Sequence, residues 1–195
     1  MLKTIQKLRS RNVLLCILML MSLQVSSQLM KFEAPLNSLF QNGLNSLKQG
    51  DSLSAYQSIQ SAYSFNPNET DIAFHYHALS IALDKPNAIV NVQNWLLNNN
   101  NKIYASRLNF ELAKYYFRKQ DVDASIQAYL KTSIDDLENN EVALMQFQLG
   151  YLYFKKGNWD LSTNYLYSIR QVKTSPFYVD ANYYAGFVAL QKKGF

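Results

Sequence analysis

Cysteine and histidine are nearly absent from this 195-residue chain, and both shortages limit the chemistry available to it. Cys16 is the single cysteine, so no disulfide can form within the chain. The two histidines, His75 and His77, stand two positions apart, which separates them by about 200° around a helix. They cannot hold a metal ion together without further ligands. We therefore expect no metal site and no cofactor.

Catalytic motifs are missing as well. The sequence contains no glycine-rich phosphate loop and none of the short motifs that surround catalytic nucleophiles. Four carboxylates stand at predicted turns, where capping of a helix explains them: Asp121, Asp123, Asp135 and Asp136. We predict that the chain is not an enzyme and has no small-molecule substrate.

The first 27 residues differ in composition from the rest of the chain. Basic residues occupy the start, residues 13–23 are an almost unbroken apolar run, and small residues precede Gln28. This layout is typical of a secretory signal peptide that is cleaved near Ser27. The run of 11 apolar residues is shorter than the roughly 20 that a membrane-spanning helix needs. We expect an exported protein of the bacterial periplasm or the periphery of the outer membrane; the alternative is an uncleaved anchor.

The excess of positive charge belongs mostly to this leader. The chain has 19 basic and 14 acidic residues, and four basic but no acidic residues lie within 1–27. The remainder therefore carries 15 basic and 14 acidic residues, a net charge of +1. Because this charge is so small, it does not favour binding to nucleic acid or to anionic lipid, and we expect no nucleic-acid partner.

From about residue 36 the chain has the pattern of one helix after another, without strand-like alternation. Small residues recur at steps of 35, 35, 37 and 36 positions, and the series is Gly43, Ala78, Ala113, Gly150 and Gly186. The fourth member stands in the most complete pattern, which consists of Leu149, Gly150, Tyr153, Gly157, Trp159 and Ser162. A small residue at such a position lets two helices approach closely, and the surrounding aromatics fill the space around the contact.

This pattern resembles the tetratricopeptide repeat, a helix–turn–helix unit of about 34 residues. The resemblance implies an all-α fold, a right-handed α-solenoid of about four and a half repeats, after a linker at 28–35. The expected repeats are 36–69, 70–102, 103–137, 138–175 and an incomplete 176–195. The half repeat at the end predicts that the natural protein continues with further repeats. The residues expected to pack the repeats together are Gly43, Ala78, Leu112, Ala113, Leu149, Gly150, Trp159 and Gly186.

In this family the first helices of successive repeats line a groove that holds a segment of a partner protein. Carried onto this sequence, the resemblance implies a groove formed by Arg107, Phe110, Lys114, Phe117, Arg118, Phe147, Tyr151, Phe154, Lys155, Tyr183 and Phe187. Aromatic side chains with interleaved cations suit a peptide that carries apolar anchors and carboxylates. The alternative is that these aromatics only pack neighbouring repeats against each other.

The expected function is therefore a non-catalytic scaffold of the bacterial cell envelope that binds proteins or peptide segments. The resemblance leaves three alternatives open. The chain could belong to a membrane-associated complex for outer-membrane uptake, secretion or assembly, to the non-catalytic N-terminal part of a larger enzyme, or to a self-associating array.

Overall fold

The computed structural model describes residues 37–193, so the proposed leader and linker lie outside the described residues. Between residues 37 and 193 every regular element is helical and no strand is present. The expectation of an all-α fold is confirmed. None of the helices in this range is both long enough and apolar enough to cross a membrane.

Nine α-helices follow one another through residues 37–193, with one short 3₁₀-helix at Ile134–Asp136. They are α1 (37–48), α2 (Ser52–Phe65), α3 (Thr70–Ala82), α4 (Ala88–Asn98), α5 (Lys102–Arg118), α6 (Val122–Leu130), α7 (Asn139–Lys155), α8 (Trp159–Arg170) and α9 (Tyr178–Lys192). The described residues form two compact units, 37–76 and 77–193, and the division falls within α3.

An Asp or Asn side chain caps four of the helices. In each case its oxygen accepts a hydrogen bond from the backbone N–H three residues later, which satisfies one of the free donors at a helix start. The pairs are Asp51 with Ser54 (3.0 Å), Asn101 with Tyr104 (3.1 Å), Asp121 with Ala124 (3.1 Å) and Asn158 with Leu161 (3.2 Å). Of the four carboxylates expected to cap helices, Asp121 caps α6, Asp123 lies in the first turn of the same helix, and Asp135 and Asp136 lie in the 3₁₀-helix.

The turns that end α1, α3, α5 and α7 share one geometry. A backbone N–H just beyond the helix reaches back to the carbonyl five residues earlier, in the bonds Asp51 to Ser46, Lys85 to Ser80, Asp121 to Tyr116 and Asn158 to Tyr153, all of 2.9–3.0 Å. The residue before each donor has a left-handed backbone conformation, with φ of +78° at Gly50, +51° at Asp84, +60° at Gln120 and +69° at Gly157.

These turns revise the alignment of the second predicted repeat by one residue. The buried positions Gly43, Ala113 and Gly150 each lie seven residues before the left-handed residue of their turn. In α3 the same offset from Asp84 leads to His77, which is buried, and not to its half-buried neighbour Ala78. From the sequence we assigned this buried position to Ala78, because a small residue was expected and the turn contains no glycine that would have fixed the alignment.

Within the second unit, α5 pairs with α6 and α7 pairs with α8 through the same contact. The hydroxyl of Ser125 donates a hydrogen bond to the carbonyl of Ala113 (2.9 Å), and the hydroxyl of Ser162 donates one to the carbonyl of Gly150 (2.8 Å). Both serines are fully buried. The helices approach so closely that a Cβ atom built on Gly150 would lie 2.7 Å from the side chain of Leu166.

Removing the hydroxyl of Ser162 tests this contact. The variant Ser162→Ala is expected to lower the free energy of unfolding by about 1 kcal/mol, because a buried hydrogen bond is lost. Urea denaturation would measure the change. Ser61→Ala is the matched control, because the exposed Ser61 hydroxyl bonds only within its own helix. Equal effects at the two sites would show that the interhelical bond contributes nothing to stability.

Neighbouring helix pairs of the second unit are joined by charged contacts. Arg107 of α5 donates to the Asp136 carbonyl (2.7 Å) and forms an ion pair with Glu141 of α7 (3.2 Å). Two further ion pairs recur at equivalent places, Lys156 with Asp123 and Lys192 with Asp160. Because both of these aspartates are exposed, each recurring pair contributes at most about 1 kcal/mol. The apolar core around Leu166, Ile169 and Ala181 therefore dominates the packing of α9 on α8.

Candidate binding cleft

A cleft of about 450 Å³ opens on the second unit where α5, α7 and α9 come together. Side chains of α5, α7 and α9, of the turn after α5 and of the first residue of α6 form its surface. The lining residues are Phe117, Arg118, Gln120, Val122, Phe147, Tyr151, Leu152, Lys155 and Tyr184. Phe147, Tyr151 and Lys155 recur at every fourth position of α7, so helical periodicity directs all three to the same side.

Four of these side chains form an aromatic wall, which we define as Phe117, Phe147, Tyr151 and Tyr184. Tyr151 contacts Phe117 with ring centroids 5.8 Å apart and Tyr184 with centroids 5.0 Å apart, both edge to face. Phe147 reaches Tyr184 at 6.3 Å. Such ring contacts hold their members in place, so the cleft offers a preformed apolar surface.

Positive charge lies at the rim of the aromatic wall. Arg118 and Lys155 are both exposed, and no acidic side chain lines the cleft. Lys155 forms no ion pair with any residue between 37 and 193. Burial raises the pKa of the Tyr184 hydroxyl above its usual value, and the neighbouring Tyr151 and Asp180 raise it further. At neutral pH the Tyr184 hydroxyl therefore stays protonated and can donate a hydrogen bond.

Five of the eleven groove residues named from the sequence line this cleft: Phe117, Arg118, Phe147, Tyr151 and Lys155. The three earlier residues of α5 lie elsewhere. Arg107 is held by Glu141 and the Asp136 carbonyl, and Phe110 is buried. Lys114 forms an ion pair with Glu111 at 2.7 Å and lies 4.8 Å above the Phe110 ring.

The other three lie beside the cleft without lining it. Phe154 packs against Trp159, with centroids 5.7 Å apart, and against Tyr184 at 5.3 Å. Tyr183 and Phe187 contact each other at 4.8 Å and remain exposed on α9. Phe154 therefore packs α7 against α8 and α9, whereas Tyr183 and Phe187 form part of the exposed surface of α9.

Four lining residues were not predicted: Gln120, Val122, Leu152 and Tyr184. Tyr184 follows Tyr183 directly, and the family pattern directed only the first of the two to the groove. The turn residue Gln120 and its neighbour Val122 reach the cleft because the turn after α5 folds beside α7. No local pattern in the sequence carries that information.

The predicted repeat-packing residues differ in their surroundings. Gly43, Leu112, Ala113, Leu149 and Gly150 are buried, and Trp159 is half-buried against Phe154. Ala78 is half-buried. Gly186 is exposed, and a Cβ atom built on it would meet nothing within 4 Å.

A second cleft of about 600 Å³ lies between α4, α5 and α6. Amide, aliphatic and alanine side chains line it, with Tyr116 as its one aromatic and Lys131 as its one cation. Its lining is mostly aliphatic and amide, whereas four aromatic side chains line the first cleft. Among residues 37–193, no group of three or more His, Cys, Asp or Glu side chains lies close enough to hold a metal ion.

Comparisons with protein-family models, with curated proteins and with solved structures found no match for this chain. The resemblance described from the sequence therefore rests on the chain's own residues.

Proposed function

We propose that this chain is a non-catalytic scaffold that binds a segment of another protein in the aromatic cleft of its second unit. The observation that carries the proposal is the combination, in one cleft, of the aromatic wall with two exposed cations and no carboxylate. The favoured ligand is a peptide with an apolar anchor and an acidic group beside it.

The two parts of the site contribute differently. Burying one large apolar side chain against the aromatic wall supplies about 1.5–3 kcal/mol. An exposed pair between Lys155 or Arg118 and a carboxylate supplies at most about 1 kcal/mol. The aromatic wall therefore sets most of the affinity, whereas the cations select acidic partners and speed their association.

The proposal extends to the fold. A right-handed solenoid of tetratricopeptide-like repeats is supported by the equivalent contacts of Ser125 with Ala113 and of Ser162 with Gly150. The four turns with a left-handed residue at the same offset support it as well. Stacked units of this kind bury a continuous core and leave extended surfaces for partners.

We place the scaffold in the bacterial cell envelope on the strength of the signal-peptide pattern at 1–27, which lies outside the described residues. Complexes for uptake, secretion or assembly at the outer membrane would use a scaffold of this kind.

Site-specific crosslinking in intact cells tests the proposal. A photoreactive amino acid is placed at Lys155, which lines the cleft, or at the exposed Lys173, which is the matched control outside it. A partner protein is expected to crosslink from position 155 and not from position 173. Mass spectrometry would then identify the crosslinked partner segment. Equal crosslinking from both positions, or none from position 155, would contradict the proposed site.

The charge preference is tested with the partner segment so identified. Arg118→Ala combined with Lys155→Ala is expected to weaken binding by about three- to tenfold, because each exposed pair contributes at most about 1 kcal/mol. The loss should shrink at high salt, which screens exposed charges. Isothermal titration at two salt concentrations measures both effects, and Lys173→Ala is the control. An affinity that neither substitution nor salt changes would contradict the role of the cations.

A further inference from the structure

The second cleft, between α4, α5 and α6, is open where the next helix pair of the chain is closed. The pair α5 and α6 aligns with the pair α7 and α8 at an offset of 37 residues, because Ala113 is equivalent to Gly150 and Ser125 to Ser162. The cleft lies inside the described helix series, with α4 before it and α7 after it, so no further helix of that series is due there.

The first difference between the two helix pairs is an aromatic ring. In α7 and α8, Tyr153 and Tyr165 stack with their ring centroids 5.6 Å apart and their planes 10° apart. The equivalent residues in α5 and α6 are Tyr116 and Ala128, and both line the cleft. Because the methyl group of Ala128 is much smaller than a phenol ring, the place that the Tyr165 ring takes beside Tyr153 is open beside Tyr116.

The second difference is a hydrogen bond between the helices. The hydroxyl of Ser168 in α8 donates to the amide oxygen of Gln146 in α7 over 2.7 Å. The equivalent residues are Lys131 and Asn109, which also line the cleft. The Asn109 amide donates to a carbonyl of its own helix, and Lys131 forms no ion pair with any residue between 37 and 193. The Lys131 ammonium is therefore available at the cleft, about one helical turn from Ala128.

The lining of the second cleft carries no negative charge at neutral pH. No acidic side chain among the described residues lines it. Burial raises the pKa of the Tyr116 hydroxyl above its usual value, and the nearby Asp121 raises it further, so this hydroxyl stays protonated. The Gln93 amide donates to the same hydroxyl over 3.5 Å. An anion beside Lys131 therefore meets a cation and amide groups, with no carboxylate of the lining to repel it.

We propose that the second cleft binds an aromatic carboxylate, that is, a flat ring joined by a short linker to a carboxylate. The ring stacks on Tyr116 in the place that Tyr165 takes beside Tyr153. The carboxylate accepts hydrogen bonds from Lys131 and from the Asn109 amide, about one helical turn further along. A free ammonium group on the ligand would find no acidic partner in the lining. The site is separate from the first cleft, with which it shares no lining residue.

The probe is 3-phenylpropanoate, and its saturable binding to the whole chain is measured by a ligand-observed NMR titration. Two analogues test its two parts. The neutral 3-phenylpropanamide lacks the charge and 3-cyclohexylpropanoate lacks the flat ring, so each should bind several-fold more weakly.

A further probe distinguishes two sources of this chemistry. The dipeptide N-acetylglycylphenylalanine presents the same ring and carboxylate as the C-terminus of a polypeptide does. Tighter binding of the dipeptide than of 3-phenylpropanoate would assign the site to a polypeptide that ends in an aromatic residue. Weaker binding of the dipeptide would assign it to a free aromatic acid.

Variants of the protein locate the binding. Ala128→Tyr should weaken binding of 3-phenylpropanoate by about tenfold or more, because the new ring takes the ligand's place beside Tyr116. Lys131→Gln, at an exposed position, should weaken it by up to about fivefold and leave the binding of 3-phenylpropanamide unchanged. Ala189→Tyr is the matched control, because it adds the same ring to an exposed position of α9. Circular dichroism checks that each variant keeps its helices.

Three results would overturn the proposal. The first is absence of saturable binding of both 3-phenylpropanoate and the dipeptide. The second is an affinity that does not change in the two analogues, or that does not change in a folded Ala128→Tyr variant. The third is loss of binding in the combined variant Arg118→Ala and Lys155→Ala while Lys131→Gln has no effect, which would assign the probe to the first cleft.

Discussion

Leucine at position 150 is expected to destabilise the chain by about 1–3 kcal/mol, whereas leucine at position 186 should not destabilise it. A Cβ atom at position 150 would already lie 2.7 Å from Leu166, and the fully buried Leu166 has no free space into which to move. At Gly186 the new side chain enters open space. There the exchange of glycine for a better helix former should stabilise α9 by several tenths of a kcal/mol.

Urea denaturation of the two variants, monitored by circular dichroism, measures this contrast. Both substitutions are chemically identical and both lie inside helices, so their difference isolates the covering helix. A similar loss at both positions would contradict the close approach of α7 and α8 and the exposure of Gly186.

Stability is expected to fall as the pH is lowered from about 6.5 to about 4, because of His77. Burial lowers the pKa of this imidazole from 6.5 to about 4. In this interval the unfolded chain takes up a proton that the folded chain does not bind. The contribution of His77 is therefore complete above pH 6.5 and is lost as the pH falls towards 4, by up to about 1.4 kcal/mol per pH unit. Below pH 4 both states are protonated and the dependence on His77 ends.

Denaturation midpoints of the wild type and of His77→Asn between pH 7 and pH 4 check this expectation. The variant replaces the imidazole with a polar group that does not titrate, so the slope between pH 6.5 and pH 4 should flatten whatever the variant's stability at pH 7. His75→Asn is the control, because His75 is only half-buried and bonds to the Asp71 carbonyl within its own helix. An unchanged slope in His77→Asn would contradict the burial of this side chain.

The sequence alone predicted that the chain is helical from about residue 36. Helices depend on local signals, since a cap such as Asp51 or Asp121 needs only the backbone three residues later. The second predicted repeat was shifted by one residue because its turn has Asp84 in the left-handed conformation, where the pattern relied on glycine. Aspartate tolerates this conformation, so the turn forms although no glycine in the sequence marks its position.

Five residues that the resemblance assigned to a groove line the cleft. Three of them, Phe147, Tyr151 and Lys155, share one side of α7 because side chains four positions apart lie on the same face of a helix. Arg107 and Lys114 were also assigned to the groove, but each forms an ion pair with a glutamate. The pair of Arg107 with Glu141 joins two helices, so it forms only when α5 and α7 pack together. Tyr184 reaches the cleft through its contacts with Tyr151 and Phe147, which are far from it in sequence.

Gly150 and Gly186 show which structural properties the sequence determines and which it does not. The sequence by itself determined that both lie inside helices, because helix formation depends on residues within a turn or two. Only the tertiary structure decided that Gly150 is covered by α8 and that Gly186 is open. The physical reason is that burial depends on which distant segment packs against a helix, and the residues around each glycine do not specify that segment.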